Sequence, residues 1–149
     1  MADDATVVSQ VTVLPDEIAQ TISTTTTVTP ADANDKWYYK LTSVSNASTD
    51  LMAGNFIDYT AIDDDTAPVA IHTADKVKFL YVKNTDASNA VYIVLDAGTA
   101  SASAGDALYI GAGQSLSIQC PNTTVAEVHA ISSASTVTCI VAALLDDVA

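Results

Sequence analysis

The side chains able to do chemistry in this chain are few. His129 stands in "AEVHAI", two positions after Glu127, so the two share a strand face if the segment is extended. A Glu–His pair does acid–base work only beside a pocket that holds a substrate, and no nucleophile or triad partner accompanies it. The pair is read as an exposed contact. His72, the other histidine, has no partner motif. Asp63, Asp64 and Asp65 form the densest set of oxygen ligands, and calcium takes six to eight such oxygens. The run lacks the alternating spacing and the glycine of a calcium loop, so it reads as a solvated turn. Cys120 and Cys139 are the only cysteines, and two thiols cannot complete a zinc site. Each lies in a strand pattern, in phase with Ile118 and Val141, which allows a disulfide. Synthesis in a reducing compartment favours two free, buried thiols. "GDALYIGAGQS" has glycines but no lysine and opens no helix, so it is not a phosphate loop. Gly111 and Gly113 are read as a tight hairpin turn that needs positive φ. No catalytic residue, metal or cofactor is expected, and the chain is read as a non-enzyme.

The aromatic residues offer a different chemistry. Trp37, Tyr38, Tyr39, Tyr81, Tyr92 and Tyr109 are of the type that builds a carbohydrate platform. Tyrosines also line cores and protein interfaces, where the hydroxyl stays wet, and interface or core is the preferred reading.

Charge narrows the partners. The chain of 149 residues has 18 acidic side chains, five lysines and no arginine, for a net charge of −13. A phosphate backbone or an anionic membrane surface needs cations that this chain does not have, so no nucleic acid and no membrane is expected as partner. The acidity either keeps a protein soluble before assembly or complements a basic partner surface, and solubility is the preferred reading. "MADDATVVSQ" is acidic where a signal peptide would be basic, and no apolar run is long enough to span a bilayer. Synthesis in a cytoplasm is the expectation.

These residues must be positioned by strands. Thr, Val, Ser and Asn supply much of the composition, which suits pleated surfaces and turns. "ATVVSQVTVLPDEIAQTISTTTTVTP" reads as an extended arm or an edge hairpin, with a turn at "LPDE". "PADAND" closes it, giving an arm over 1–30 and a domain over 31–149. From Trp37 onward come eight or nine strand-like runs with turns every 8–12 residues or so, the pattern of a sandwich or barrel. The expected fold is an all-β antiparallel β-sandwich, jelly-roll- or Ig-like, with an extended N-terminal arm. "CIVAALLDDVA" reads as a buried strand with a frayed acidic tail.

One stretch is over-supplied with apolar residues. "KVKFLYVKNTDASNAVYIVLDAG" reads as a hairpin of two strands, each apolar on both faces. Val77, Phe79 and Tyr81 oppose Leu80 and Val82, and Val91, Ile93 and Leu95 oppose Tyr92 and Val94. A small soluble sheet usually keeps one face polar. The second face therefore needs a cover, which a symmetry mate would supply.

The order "VKFLYVKNTDASNAVYIVLDAG", "ALYIGAGQSLSI", "AEVHAISSASTVTCIVAALLDD" resembles small β-sandwich proteins of tailed-phage virions, notably head decoration (cement) proteins and related fibre or spike modules. The resemblance spans residues 76–147, about half the chain. It rests on strand order and turn chemistry. It implies a non-enzymatic virion protein, often a trimer, on the capsid surface, with the major capsid protein and further copies of itself as partners. Val7, Val11, Val13 and Ile18 in the arm are the expected partner contacts, with Tyr92 and Tyr109 as subunit contacts. The alternative is a fibre or receptor-binding module that recognises host glycans.

Overall fold

The computed structural model describes residues 4–13, 20–32, 34–55 and 70–148. "FIDYTAI", the aspartate triplet Asp63 to Asp65, and Ile18 lie outside the described residues. The chain divides into two compact units, residues 1–33 and 34–149.

The first unit is a hairpin. Strands β1 (Ala5–Val13) and β2 (Gln20–Val28) pair antiparallel in unbroken register from Ala5↔Val28 to Val13↔Gln20. The β-branched Val, Ile and Thr residues that fill both strands suit the pleat. Strand alternation then sorts the side chains. Ala5, Val7, Val11 and Val13 share a face with Val28 and Ile22; the opposite face is Thr, Ser and Gln apart from Val8.

The second unit is a sandwich of two antiparallel four-stranded sheets. Its strands are β3 (Asp35–Val44), β4 (Thr49–Asp50), β5 (Lys76–Asn84), β6 (Val91–Val94), β7 (Leu108–Ile110), β8 (Ser115–Thr124), β9 (His129–Ser132) and β10 (Val137–Asp146). The large sheet runs β3-β10-β5-β8 and the small sheet β4-β9-β6-β7. The pairs β3/β10, β4/β9, β5/β8 and β6/β7 nest inside one another along the chain. First pairs with last, second with second-last, and so inward. A long ribbon paired in this way and rolled into two sheets is a jelly roll.

This winding corrects the hairpin reading of Lys76–Gly98. β5 and β6 do not pair; they lie in different sheets, and residues 85–90 carry the chain across. The turn at Gly111–Gln114 likewise links β7 of the small sheet to β8 of the large one. Gly113 has φ +70 and Gly111 does not need a positive φ; a Cβ on Gly111 would meet the Gln114 side chain at 2.6 Å. Among the described residues only β6 and β7 are both consecutive and paired within the sandwich, so a polar turn between apolar runs here marks a change of sheet more often than a hairpin.

The inner faces form the core. Tyr38, Val44, Leu80, Val82, Cys139, Val141 and Ala143 come from the large sheet, and Val91, Ile93, Ile110 and Ala130 from the small one. The phase of β5 is broken by a bulge between Val77 and Phe79, so Val77 joins Leu80 and Val82 inside while Phe79 and Tyr81 face out. Strict alternation had grouped Val77 with Phe79. The C-terminal strand is buried as expected, but its acidic end is not frayed. Lys78 Nζ lies 2.5 Å from Asp35 and 3.5 Å from Asp146, Lys36 pairs with Asp147, and the Val148 N–H donates to buried Asp75 at 3.1 Å.

Candidate functional site

The polar candidates resolve into supports for the fold. Glu127 and His129 do not meet as a pair. Val125–Glu127 is a single 3-10 turn, and the Glu127 carboxylate accepts from the Thr124 N–H at 2.6 Å and the Thr124 hydroxyl at 3.0 Å, a capping box. His129 instead sets Nδ1 at 2.7 Å from the Gly98 carbonyl and Nε2 at 3.1 Å from Asp50. It ties the β6–β7 loop to β4. The exposed His72 contributes its backbone: its N–H donates to the Asp75 carboxylate at 2.8 Å and its carbonyl accepts from the Asp75 N–H at 3.1 Å.

Cys120 and Cys139 are buried and free. Cys139 lies opposite Asn84 on one side of β5, and Cys120 follows Gln119, which lies opposite Phe79 on the other side. Two strand spacings, about 10 Å, and about 20 Å along the strands separate them. A disulfide needs Cα atoms within about 7 Å, so the pairing allowed by strand phase does not form. Burial pushes the Cys139 thiol up to about 11 and raises Cys120 as well, which leaves both protonated and poorly nucleophilic at neutral pH. Among the described residues no group of three His, Cys, Asp or Glu side chains is placed to hold a metal.

One buried polar side chain organises a whole end of the sandwich. Asn84 is fully buried at the end of β5. Its Nδ2 donates to the Asn89 carbonyl at 2.7 Å and the Gly111 carbonyl at 3.1 Å, its Oδ1 accepts from the Asp86 N–H at 2.9 Å, and its N–H donates to the Gln114 carbonyl at 2.9 Å. It thereby holds two of the connections that cross between sheets. Asn89 continues the network to Ser135 at 3.1 Å. Tyr38, by contrast, points its hydroxyl into the core toward Thr42 and the Ala53 backbone N–H, yet neither the Tyr38 nor the Thr42 hydroxyl makes a well-formed hydrogen bond. Burial raises the phenol.

The exposed apolar surface is where the structure departs from a self-contained domain. Cross-strand register sets three rows on the outer face of the large sheet: Trp37–Leu144–Phe79, Tyr39–Ala142–Tyr81 and Leu41–Ile140–Lys83. In the first row Phe79 and Leu144 are buried, and Trp37 meets Phe79 edge-on at 6.3 Å. The rows then open to solvent. Tyr39 is 54% exposed and Leu41 63%, both on β3, an edge strand. The hairpin unit has its own exposed set, with Val8 at 68%, Val11 at 57%, Val13 at 48% and Ile22 at 62%. Val11 and Ile22 are directly paired.

Of the residues expected from sequence to meet partners, Val11 and Val13 are exposed, Val7 is half-buried on the same face, and Ile18 lies outside the described residues. Tyr92 and Tyr109 are brought together as a cross-strand pair on the outer face of the small sheet, edge-on at 5.4 Å, with Tyr109 61% exposed. The six aromatics do not form one platform. Tyr38 is in the core, Trp37, Tyr39 and Tyr81 lie on the large sheet, and Tyr92 and Tyr109 lie on the small one. Tyr39, Leu41, Ile140 and Ile22 were missed as surface residues. The available signal was the two-phase apolar pattern of "KWYYKL" and "CIVAALL", in which both phases cannot be interior to a two-layer domain. No family model matches the chain, and neither a curated protein nor a solved structure matches it.

Proposed function

We propose that this protein is a non-enzymatic structural component of a tailed-phage virion that binds the major capsid protein lattice and stabilises it, as an oligomer of about three copies. The observation that carries the reading is the pairing of an acidic chain with apolar surface left in solvent on both the hairpin and the large sheet. Exposed apolar faces of this kind mark association sites. The resemblance of residues 76–147 to decoration proteins adds the setting. The jelly roll adds little, since capsid proteins, lectins and cupins share it. The mechanism is linkage: a protein that binds only the assembled lattice shifts the equilibrium toward it, by about 2.7 kcal/mol per site at a free concentration 100 times Kd.

The test is cosedimentation with empty capsids of the phage. The full chain should saturate expanded capsids and raise their unfolding temperature. A chain lacking residues 1–30 should lose occupancy. Full occupancy without the hairpin removes its anchoring role, and no binding of the full chain defeats the virion reading.

The Tyr92–Tyr109 pair favours a second reading, a glycan-binding fibre module, because an exposed edge-on tyrosine pair offers a ring face for stacking. Glycan-array binding that Tyr109→Ala abolishes, with no capsid binding, would select it.

A further inference from the structure

We propose that the β1–β2 hairpin of one copy packs its Val11, Val13 and Ile22 face on the outer face of the large sheet of a second copy, around Tyr39 and Leu41, and that the contact repeats head to tail to close a ring. It deepens the association reading above by naming the two surfaces and their occupant.

Each surface lacks something the other supplies. A two-stranded hairpin alone is marginal in water, and three or more strands with a covered apolar face are needed for stability. Here the apolar face is in phase along both strands, and its distal half is exposed. The large sheet has four strands but leaves Tyr39 and Leu41 in solvent beside Ala142 and Ile140. Two pleated faces stack at about 10 Å with their side chains interdigitated, which is how sheets pack within a sandwich.

Charge is compatible with a second copy as the occupant. Two chains of −13 repel over most of their surface. The strands "ATVVSQVTV" and "QTISTTTTV" contain no ionisable side chain. The three outer rows of the large sheet hold one charge, and it is the cation Lys83. These neutral surfaces let two acidic copies meet without opposing like charges.

Size argues for a ring. Nine residues of strand extend about 30 Å, and two strands are about 10 Å wide, so the hairpin covers about 300 Å² in projection. A stable pair buries about 800 Å² on each partner. In a heterologous contact each subunit uses both its hairpin and its sheet, so a ring engages about 600 Å² in projection per subunit, and closure makes the contacts cooperative where one alone is too small.

The experiment uses the full chain without capsids, so its outcome is independent of lattice binding. Sedimentation velocity is run on the wild type, Val11→Asp, Leu41→Asp and a 1:1 mixture of the two variants. Val11→Thr and Leu41→Thr, which keep strand propensity, serve as milder partners, and circular dichroism checks each fold. The wild type should sediment as a closed oligomer and each variant alone as a monomer. The mixture should give a dimer, because the intact sheet of one variant accepts the intact hairpin of the other. That dimer needs a higher concentration than the wild-type ring, since it has one contact. A mixture that stays monomeric at every concentration overturns the proposal, because contacts between like faces are not rescued by mixing. A monomeric wild type, as when each hairpin covers a sheet of its own chain, overturns it too.

Discussion

Replacing Asn84 tests whether one buried amide holds the end of the jelly roll where the chain changes sheets. In Asn84→Ala the Asn89 and Gly111 carbonyls lose their donor, and the Asp86 N–H loses its acceptor. A buried polar group left without a partner costs about 1–3 kcal/mol. Two of the three bonds lie at a partly hydrated margin, and a small cavity replaces the amide, so the expected loss is about 3–5 kcal/mol. Net stability of a domain is about 5–15 kcal/mol, so this is a large fraction. Asn84→Asp refines the test. It keeps the acceptor for Asp86 but turns a carboxyl oxygen toward two carbonyls, which it can satisfy only when protonated. Its folded pKa then lies above the unfolded value of about 3.9. The native state binds the extra proton, so stability relative to wild type falls as pH rises through that range and recovers below it. Urea unfolding monitored by tryptophan fluorescence, at pH 7 and near pH 4, measures both. A loss under about 1 kcal/mol in Asn84→Ala, or an Asn84→Asp deficit that does not change with pH, refutes the reasoning.

Other changes probe separate parts of the structure. Tyr38→Phe removes a core hydroxyl that makes no well-formed hydrogen bond, so chemical denaturation should find it neutral or up to about 1 kcal/mol more stable. The two thiols should resist a disulfide reagent at pH 8 in the native protein and react fully in urea, because burial raises both and holds Cys139 at about 11. The Asp35 hydrogen bond raises Lys78 above its ordinary 10.5. The stability it contributes is therefore complete below that value and lost as pH rises through the higher folded one, and Lys78→Met should flatten the alkaline fall of the melting temperature. Asp86 is held below 3.8 by the N–H groups of Asn89 and Ser88. Its contribution is present above 3.8 and lost as pH falls through the lower folded value, so Asp86→Ala should lessen the acid-side decline.

Alternation of Val, Thr and Ile with polar residues, broken by Gly, Asn and Ser turns, was enough to establish an all-β antiparallel sandwich, since strand side chains repeat every two residues whatever the strand pairs with. The same local rule places Trp37, Tyr39 and Leu41 of "KWYYKL" on one face and Tyr38 on the other. It could not say which face was interior; the core took Tyr38 and left Leu41 exposed. It also failed at Val77, where a bulge inserts a residue and inverts the phase. Partner choice was out of reach. β3 pairs with β10 across about a hundred residues of chain, through backbone groups that are alike at every position, and nothing in either segment names the other. The amino-acid sequence thus determined that strands form; the uncovered second face expected of Lys76–Gly98 is not found, since Phe79 and Val94 are buried and Tyr81 and Tyr92 half-buried within the chain. Only the tertiary structure decided which strands share a sheet, that Asn84 is a buried pin and that the surplus apolar rows lie outside, because those outcomes depend on nonlocal pairing and on competition for a two-layer core with room for one face of each strand.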